Sequence, residues 1–230
     1  MNVKTQIACV WCGLLFVVLL TLGWIVIAGL VPLPSPALGA DELAAFYREN
    51  TGRIRFGTLI AMFSMSLTIP WIAVIAVQMR RTEGEFPVLT YTQLVAGAVT
   101  VAILTVPTLM WTTVAFRPER DPQLILLMSD FSWLMFIMTF PPFFVQLVAI
   151  GAAIIGDKAT RPVFPRWVGY FNVWVAILFL PGGLVTFFKS GPFAWNGLLA
   201  FWMPVTVFFL WYVVMFKALL TAIRQTPRQA

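Results

Sequence analysis

Five of the six long apolar stretches in this 230-residue chain carry proline near their midpoints. The stretches run over residues 6–31, 54–78, 91–116, 124–155, 167–188 and 195–223, and the prolines are Pro70, Pro107, the pair Pro141 and Pro142, Pro181 and Pro204. About 20 helical residues cross the hydrocarbon core of a bilayer, so each stretch is long enough to span it. Backbone polar groups in hydrocarbon must be satisfied within the protein, which favours helices, and a proline inside such a helix frees a carbonyl and bends the axis. The pattern predicts an all-α, polytopic transmembrane helix bundle with six spans, kinked near the midplane. It is expected to occupy 1–230 as a single transmembrane domain.

The connections are short and contain most of the charge. The chain is 60% hydrophobic and only 10% charged, against about 25% charged for a soluble domain. Its net charge of +6 comes from basic residues scattered over loops rather than gathered into a patch, so nucleic acid is not an expected partner. The lipid bilayer is. With six spans both ends lie on one side. The loops on that side hold nine basic residues (Lys4, Arg80, Arg81, Lys158, Arg161, Arg166, Lys217, Arg224, Arg228), against six on the other (Arg48, Arg53, Arg55, Arg117, Arg120, Lys189). Basic loops stay in the cytoplasm, so both termini are expected there.

Two connections have character of their own. Pro32, Pro34 and Pro36 force an extended exit from the first span. Residues 41–52 then read as a short amphipathic helix at the membrane interface: Asp41 and Glu42 suit the positive end of its dipole, and Leu43, Phe46 and Tyr47 share a face. Span 4 is long for a bilayer, and Pro141-Pro142 offers the bend that accommodates it. Ser64, Ser66 and Thr68 stand just before Pro70, where hydroxyls can serve freed backbone groups.

Several chemistries are disfavoured. The chain has no histidine, which removes His-ligated haem and zinc and Ser-His-Asp hydrolysis. Its two cysteines, Cys9 and Cys12, form one CxxC in the first span with no second pair to receive electrons, and packing accounts for them. Nucleotide-loop and GxSxG motifs are absent, and no carboxylates cluster within the spans. No cofactor or metal is expected, and an enzyme fits the sequence least well.

Two candidate sites remain. Asp130 is the only acid embedded in an apolar run, about 9 Å along the helix from its start, and an acid at that depth must be paired or hydrated. Arg117, Arg120, Arg53 and Arg55 are expected at the same end, forming with Asp130 an outward-facing polar mouth or a structural ion pair. Among the tryptophans, Trp11, Trp111, Trp167 and Trp195 suit interfacial belts. Trp71, Trp174 and Trp202 fall deeper and are candidates for an aromatic cavity that takes a hydrophobic small molecule.

The runs Pro162-Val163-Phe164-Pro165-Arg166-Trp167-Val168-Gly169-Tyr170-Phe171-Asn172, Leu180-Pro181-Gly182-Gly183 and Gly191-Pro192-Phe193-Ala194-Trp195-Asn196-Gly197 resemble an uncharacterised family of bacterial six-span integral membrane proteins. The resemblance implies a bacterial inner-membrane location and carries no activity or site residues. The leading expectation is a protein that binds or transports a hydrophobic or amphipathic small molecule. The alternative is a non-catalytic accessory subunit of a larger membrane complex, with a membrane protein partner.

Overall fold

The structure, a computed structural model, describes residues Asn2–Gln225. Its described residues form helices joined by loops, with no strand, and six helical segments are long and apolar enough to cross a membrane. They are Val3–Ile27, Ala40–Glu83, Val88–Phe116, Pro122–Gly156, Arg166–Phe187 and Leu198–Arg224. Arg228, assigned above to the basic tail, lies outside the described residues.

Most of these segments change geometry partway along. The first is α1 (Val3–Leu20) continued by a π-helical segment over Thr21–Ile27. The second is α2 (Ala40–Ser66) and α3 (Thr68–Glu83), separated at Leu67. The third is an unbroken α4 (Val88–Phe116) that contains Pro107. The fourth divides at Thr139–Phe140 into α5 (Pro122–Met138) and α6 (Pro141–Gly156). In the fifth, α7 (Arg166–Phe179) tightens into a 3-10 helix over Leu180–Phe187. The sixth begins as a π-helical turn over Leu198–Trp202 and continues as α8 (Met203–Arg224).

Outside the first segment, each change of geometry falls at or just before a proline, and only Pro107 is carried through without one. Proline removes its own N–H, and its ring clashes with the carbonyl four residues back, so the turn before it suffers while the ring itself suits the first turn of the next helix. Hydroxyls cluster in the turn ahead of Pro70 and bond its backbone carbonyls. Ser64, Ser66 and Thr68 donate to the carbonyls of Ala61, Phe63 and Met65 at 2.6, 2.7 and 2.6 Å.

Residues 41–52 are not a separate interfacial helix. They form the first half of α2, which runs through Asn50–Arg53 without interruption. The physical reason is the buried face: Leu43, Tyr47, Ile54, Thr58, Ala61 and Met65 keep one stripe at helical spacing across that stretch, and only Gly52 weakens it. Protein covers this stripe, since α2 packs on α4 and α5 and the Tyr47 hydroxyl lies 3.2 Å from that of Ser129.

Glycines permit two close approaches. A Cβ on Gly23 would stand 2.6 Å from the Gly57 carbonyl oxygen, where the first span meets α2, and one on Gly151 would stand 2.9 Å from the Gly169 oxygen, where α6 meets α7. Small residues let helices in lipid approach to backbone contact, where dispersion rather than water exclusion holds them. Cys9 and Cys12 are both free and half-buried, and Cys9 packs against the apolar core.

Buried polar groups pin helices to one another. On the side of the termini, Gln78 donates to Gln6 at 2.5 Å, and Arg81 donates to both Gln78 and the Ala222 carbonyl, tying spans 1, 2 and 6. Between spans 5 and 6, Trp211 donates its indole N–H to Asn172 Oδ1 at 2.8 Å while Asn172 donates to the Val168 carbonyl. Asn172→Leu leaves that N–H buried and unmet, which is expected to lower unfolding free energy by about 1–2 kcal/mol. A double-mutant cycle with Trp211→Phe checks this, because the two losses should not add.

Candidate functional site

The buried apolar side chains form two clusters rather than one. The cluster nearer the termini includes Phe16, Trp71, Phe143, Trp211 and Met215. The other, nearer the opposite loops, includes Trp24, Trp111, Trp133, Ile137 and Phe201. At the seam between them lies a cavity of about 110 Å³ to which all six spans contribute: Phe16 and Trp24 from the first, Met65 from the second, Thr100 and Leu104 from the third, Phe136 to Phe143 from the fourth, Phe179 and Gly182 from the fifth and Ala200 to Phe209 from the sixth. The interrupted helices make this space. The π-helical residues Trp24, Ala200 and Phe201, the α5–α6 break at Thr139 and Phe140, and Gly182 of the 3-10 segment all border it.

The wall is apolar and largely aromatic. Its two hydroxyls, Thr100 and Thr139, donate to the carbonyls of Ala96 and Met135 at 2.8 and 2.7 Å, so neither has a proton left to donate to a ligand. Behind one wall Trp24, Trp111, Trp133 and Phe136 pack together, with Trp111 and Trp133 centred 4.6 Å apart. The indole N–H groups of Trp24, Trp111 and Trp133 have no oxygen acceptor. They sit among ring faces, where an N–H gains a weak contact with the π cloud.

A smaller space of about 20 Å³ adjoins the cavity toward the termini. The two share Phe16, Met65, Thr100, Leu104, Phe143 and Phe208, and the smaller adds Thr68, Trp71, Gln146, Trp211 and Tyr212. No charged side chain lines either space.

The residues of the candidate mouth lie elsewhere. Asp130 is half-buried in α5, and the basic side chain whose charge acts on it is Lys189. The arginines are otherwise engaged. Arg53 donates to the carbonyls of Ile27 and Val26 at 3.1 and 3.3 Å, closing the end of the first span, and Arg120 donates to the Thr113 carbonyl at 3.2 Å. Arg55 and Arg117 hold their guanidinium groups 5.7 and 5.8 Å from the centre of the Phe116 ring. Cations over helix C-termini and aromatic faces are ordinary anchors. Asp130→Asn is therefore expected to shift Tm by less than about 4 °C, as loss of a charge contact with an exposed partner should. Thermal unfolding of the purified protein checks it.

The structure also separates the three deep tryptophans. Trp71 is 1% exposed and lines the smaller space, whereas Trp174 and Trp202 are 49% and 41% exposed on the outside of the bundle. Trp111 and Trp195, assigned above to interfacial belts, are buried, and Trp195 donates to the Pro34 carbonyl at 2.8 Å. Comparisons with family models, curated proteins and solved structures found no match. The chain is thus shown as a multi-pass integral membrane protein by its own six apolar helices. Sequence reasoning missed Trp24, Phe136, Phe143 and Phe201 as cavity residues. Only their aromatic type marked them, and that is shared with lipid-facing positions such as Phe63 and Phe187.

Proposed function

We propose that this integral membrane protein binds a hydrophobic or amphipathic small molecule within the bilayer. One observation carries the reading: the cavity at the seam of the two apolar clusters, bordered by all six spans and walled almost wholly by apolar and aromatic side chains. Protein interiors close up to a density that leaves few voids larger than a water molecule, and apolar cavities of this order take apolar guests. The same reading places the protein in a bacterial cytoplasmic membrane with both termini inside. Nine basic residues against six support that orientation, and the runs around Trp167 and Pro181 support that source.

Native mass spectrometry of the protein released from its own membrane in mild detergent tests the reading. The expected result is a reproducible extra mass of small-molecule size. Val205→Trp, which puts an indole into the cavity wall from the sixth span, should abolish it while the protein stays folded. A bare wild-type protein accompanied by a second polypeptide would replace this reading with that of an accessory subunit.

A further inference from the structure

The smaller space is chemically unlike the cavity it adjoins. Among its polar groups, the Thr68 and Thr100 hydroxyls donate to the Met65 and Ala96 carbonyls, and the Trp211 N–H donates to Asn172. Gln146 uses its Nε2 on Gln93 Oε1 at 3.4 Å. Three groups are left with no hydrogen bond among the described residues: the Trp71 indole N–H, itself fully buried, the Tyr212 hydroxyl and Gln146 Oε1. The Tyr212 and Gln146 side chains are only 5% and 3% exposed. A hydroxyl or amide oxygen on so buried a side chain is usually partnered in a native fold. Tyr212 is held firmly in place: its ring stacks on Trp71 with centroids 5.2 Å apart and lies 5.1 Å from those of Phe16 and Phe208.

We infer that the ligand is an uncharged amphipathic molecule ending in a single hydroxyl or carbonyl group, and that this group is received between Tyr212 and Gln146 while the apolar body fills the larger cavity. The inference rests on the cavity reading above and adds the polarity and orientation of the guest. A ligand hydroxyl donates to Gln146 Oε1 and accepts from the Tyr212 O–H, and a carbonyl accepts from Tyr212 alone. A carboxylate or phosphate head is excluded twice. The space of about 20 Å³ has room for one small group, and with no charged side chain in either wall a buried ion would stay unpaired. The polar group points toward the side of the termini, because the space that receives it lies in the apolar cluster of that side.

Two isosteric probes separate this inference from the reading it rests on. The full-length protein in lipid nanodiscs is titrated with 4-fluorophenol and 4-fluorotoluene, binding is followed by 19F saturation transfer, and affinities are corrected for each probe's partition into protein-free nanodiscs. The phenol is expected to bind about tenfold more tightly. Tyr212→Phe, which removes one oxygen, and Gln146→Leu should each erase most of that preference and leave 4-fluorotoluene binding unchanged. Equal affinities in the wild-type protein would overturn the inference, because water would then serve the polar groups with either probe, yet the apolar cavity would stand. A fall in binding of both probes in Tyr212→Phe would assign Tyr212 a packing role and overturn it as well. Failure of the wild-type protein to bind either probe would sink the cavity reading too.

Discussion

Gly57→Val is expected to remove most of the folded protein from a mild-detergent extract. A Cβ at Gly57 would overlap the Gly23 carbonyl oxygen and stand 2.7 Å from the Ala28 Cβ, and at Gly23 the clash is with the Gly57 carbonyl in return. Neither contact is the end of a flexible side chain, so relief requires the first span and α2 to move apart. That loses the dispersion contacts of a long interface, since the two are neighbours along both α1 and the π-helical segment. The cost should reach or exceed the roughly 3 kcal/mol typical of severe overpacking. Gly52, five residues earlier in α2, is the control. A Cβ there meets nothing within 4 Å, and the position is exposed. Gly52→Ala is therefore expected to stabilise by about 0.5–1 kcal/mol through helix propensity alone. Size-exclusion profiles and thermal unfolding of the two variants decide the matter. If Gly57→Val were as stable as the parent, the helices would not be in backbone contact.

The second large effect is expected at Trp133. Its side chain is fully buried, and its ring is centred 4.6 Å from that of Trp111, 6.1 Å from Trp24 and 6.4 Å from Phe136. Trp133→Ala deletes the middle of this group and should cost about 3–5 kcal/mol, as removal of buried indoles does when the site cannot collapse. Collapse is hindered here because α5 is also held by the Tyr47–Ser129 contact. The void has a second consequence. Trp24 and Phe136 belong both to the cluster and to the cavity wall, so the lost volume opens toward the cavity. The variant should melt well below the parent and accept larger apolar guests, which thermal unfolding with a series of alkylbenzenes of rising size would show. A variant that melts low yet keeps the parent's size limit would mean the cluster and the cavity are sealed from each other.

The spans were legible because length and apolarity are enough to define them, and the described helical segments begin and end within a few residues of the expected runs except the second, which starts at Ala40 rather than near residue 54. The breaks were legible to about one turn, since the prolines announce them and the strain falls on the residues before each ring. Pro107 is the exception, because α4 absorbs it without a change of helix type. The π-helical segment at Thr21–Ile27 had no proline to reveal it, and residues 41–52 had too weak an interruption to end a helix. Tryptophan placement failed for a geometric reason. Position along a span gives depth in the bilayer but not which side of the helix faces a neighbour, so Trp174 fell outside and Trp111 inside. In a soluble protein the polar face would resolve that ambiguity. A helix apolar all round offers no such contrast. Asp130 stood out because charge is rare in these spans, yet the proposed polar contacts fall on Gln146 and Tyr212, whose neighbours in sequence are ordinary apolar residues.

The seam between the two apolar clusters is also the softest layer of the molecule. Close-packed interiors scarcely compress, whereas internal space can be squeezed out, so volume fluctuations concentrate where the packing is interrupted. Hydrostatic pressure, or a change in lateral tension of the surrounding lipid, would therefore act first on the level where five of the six spans already abandon regular α-helical geometry. The rigid slabs above and below would shift relative to each other before either one melted.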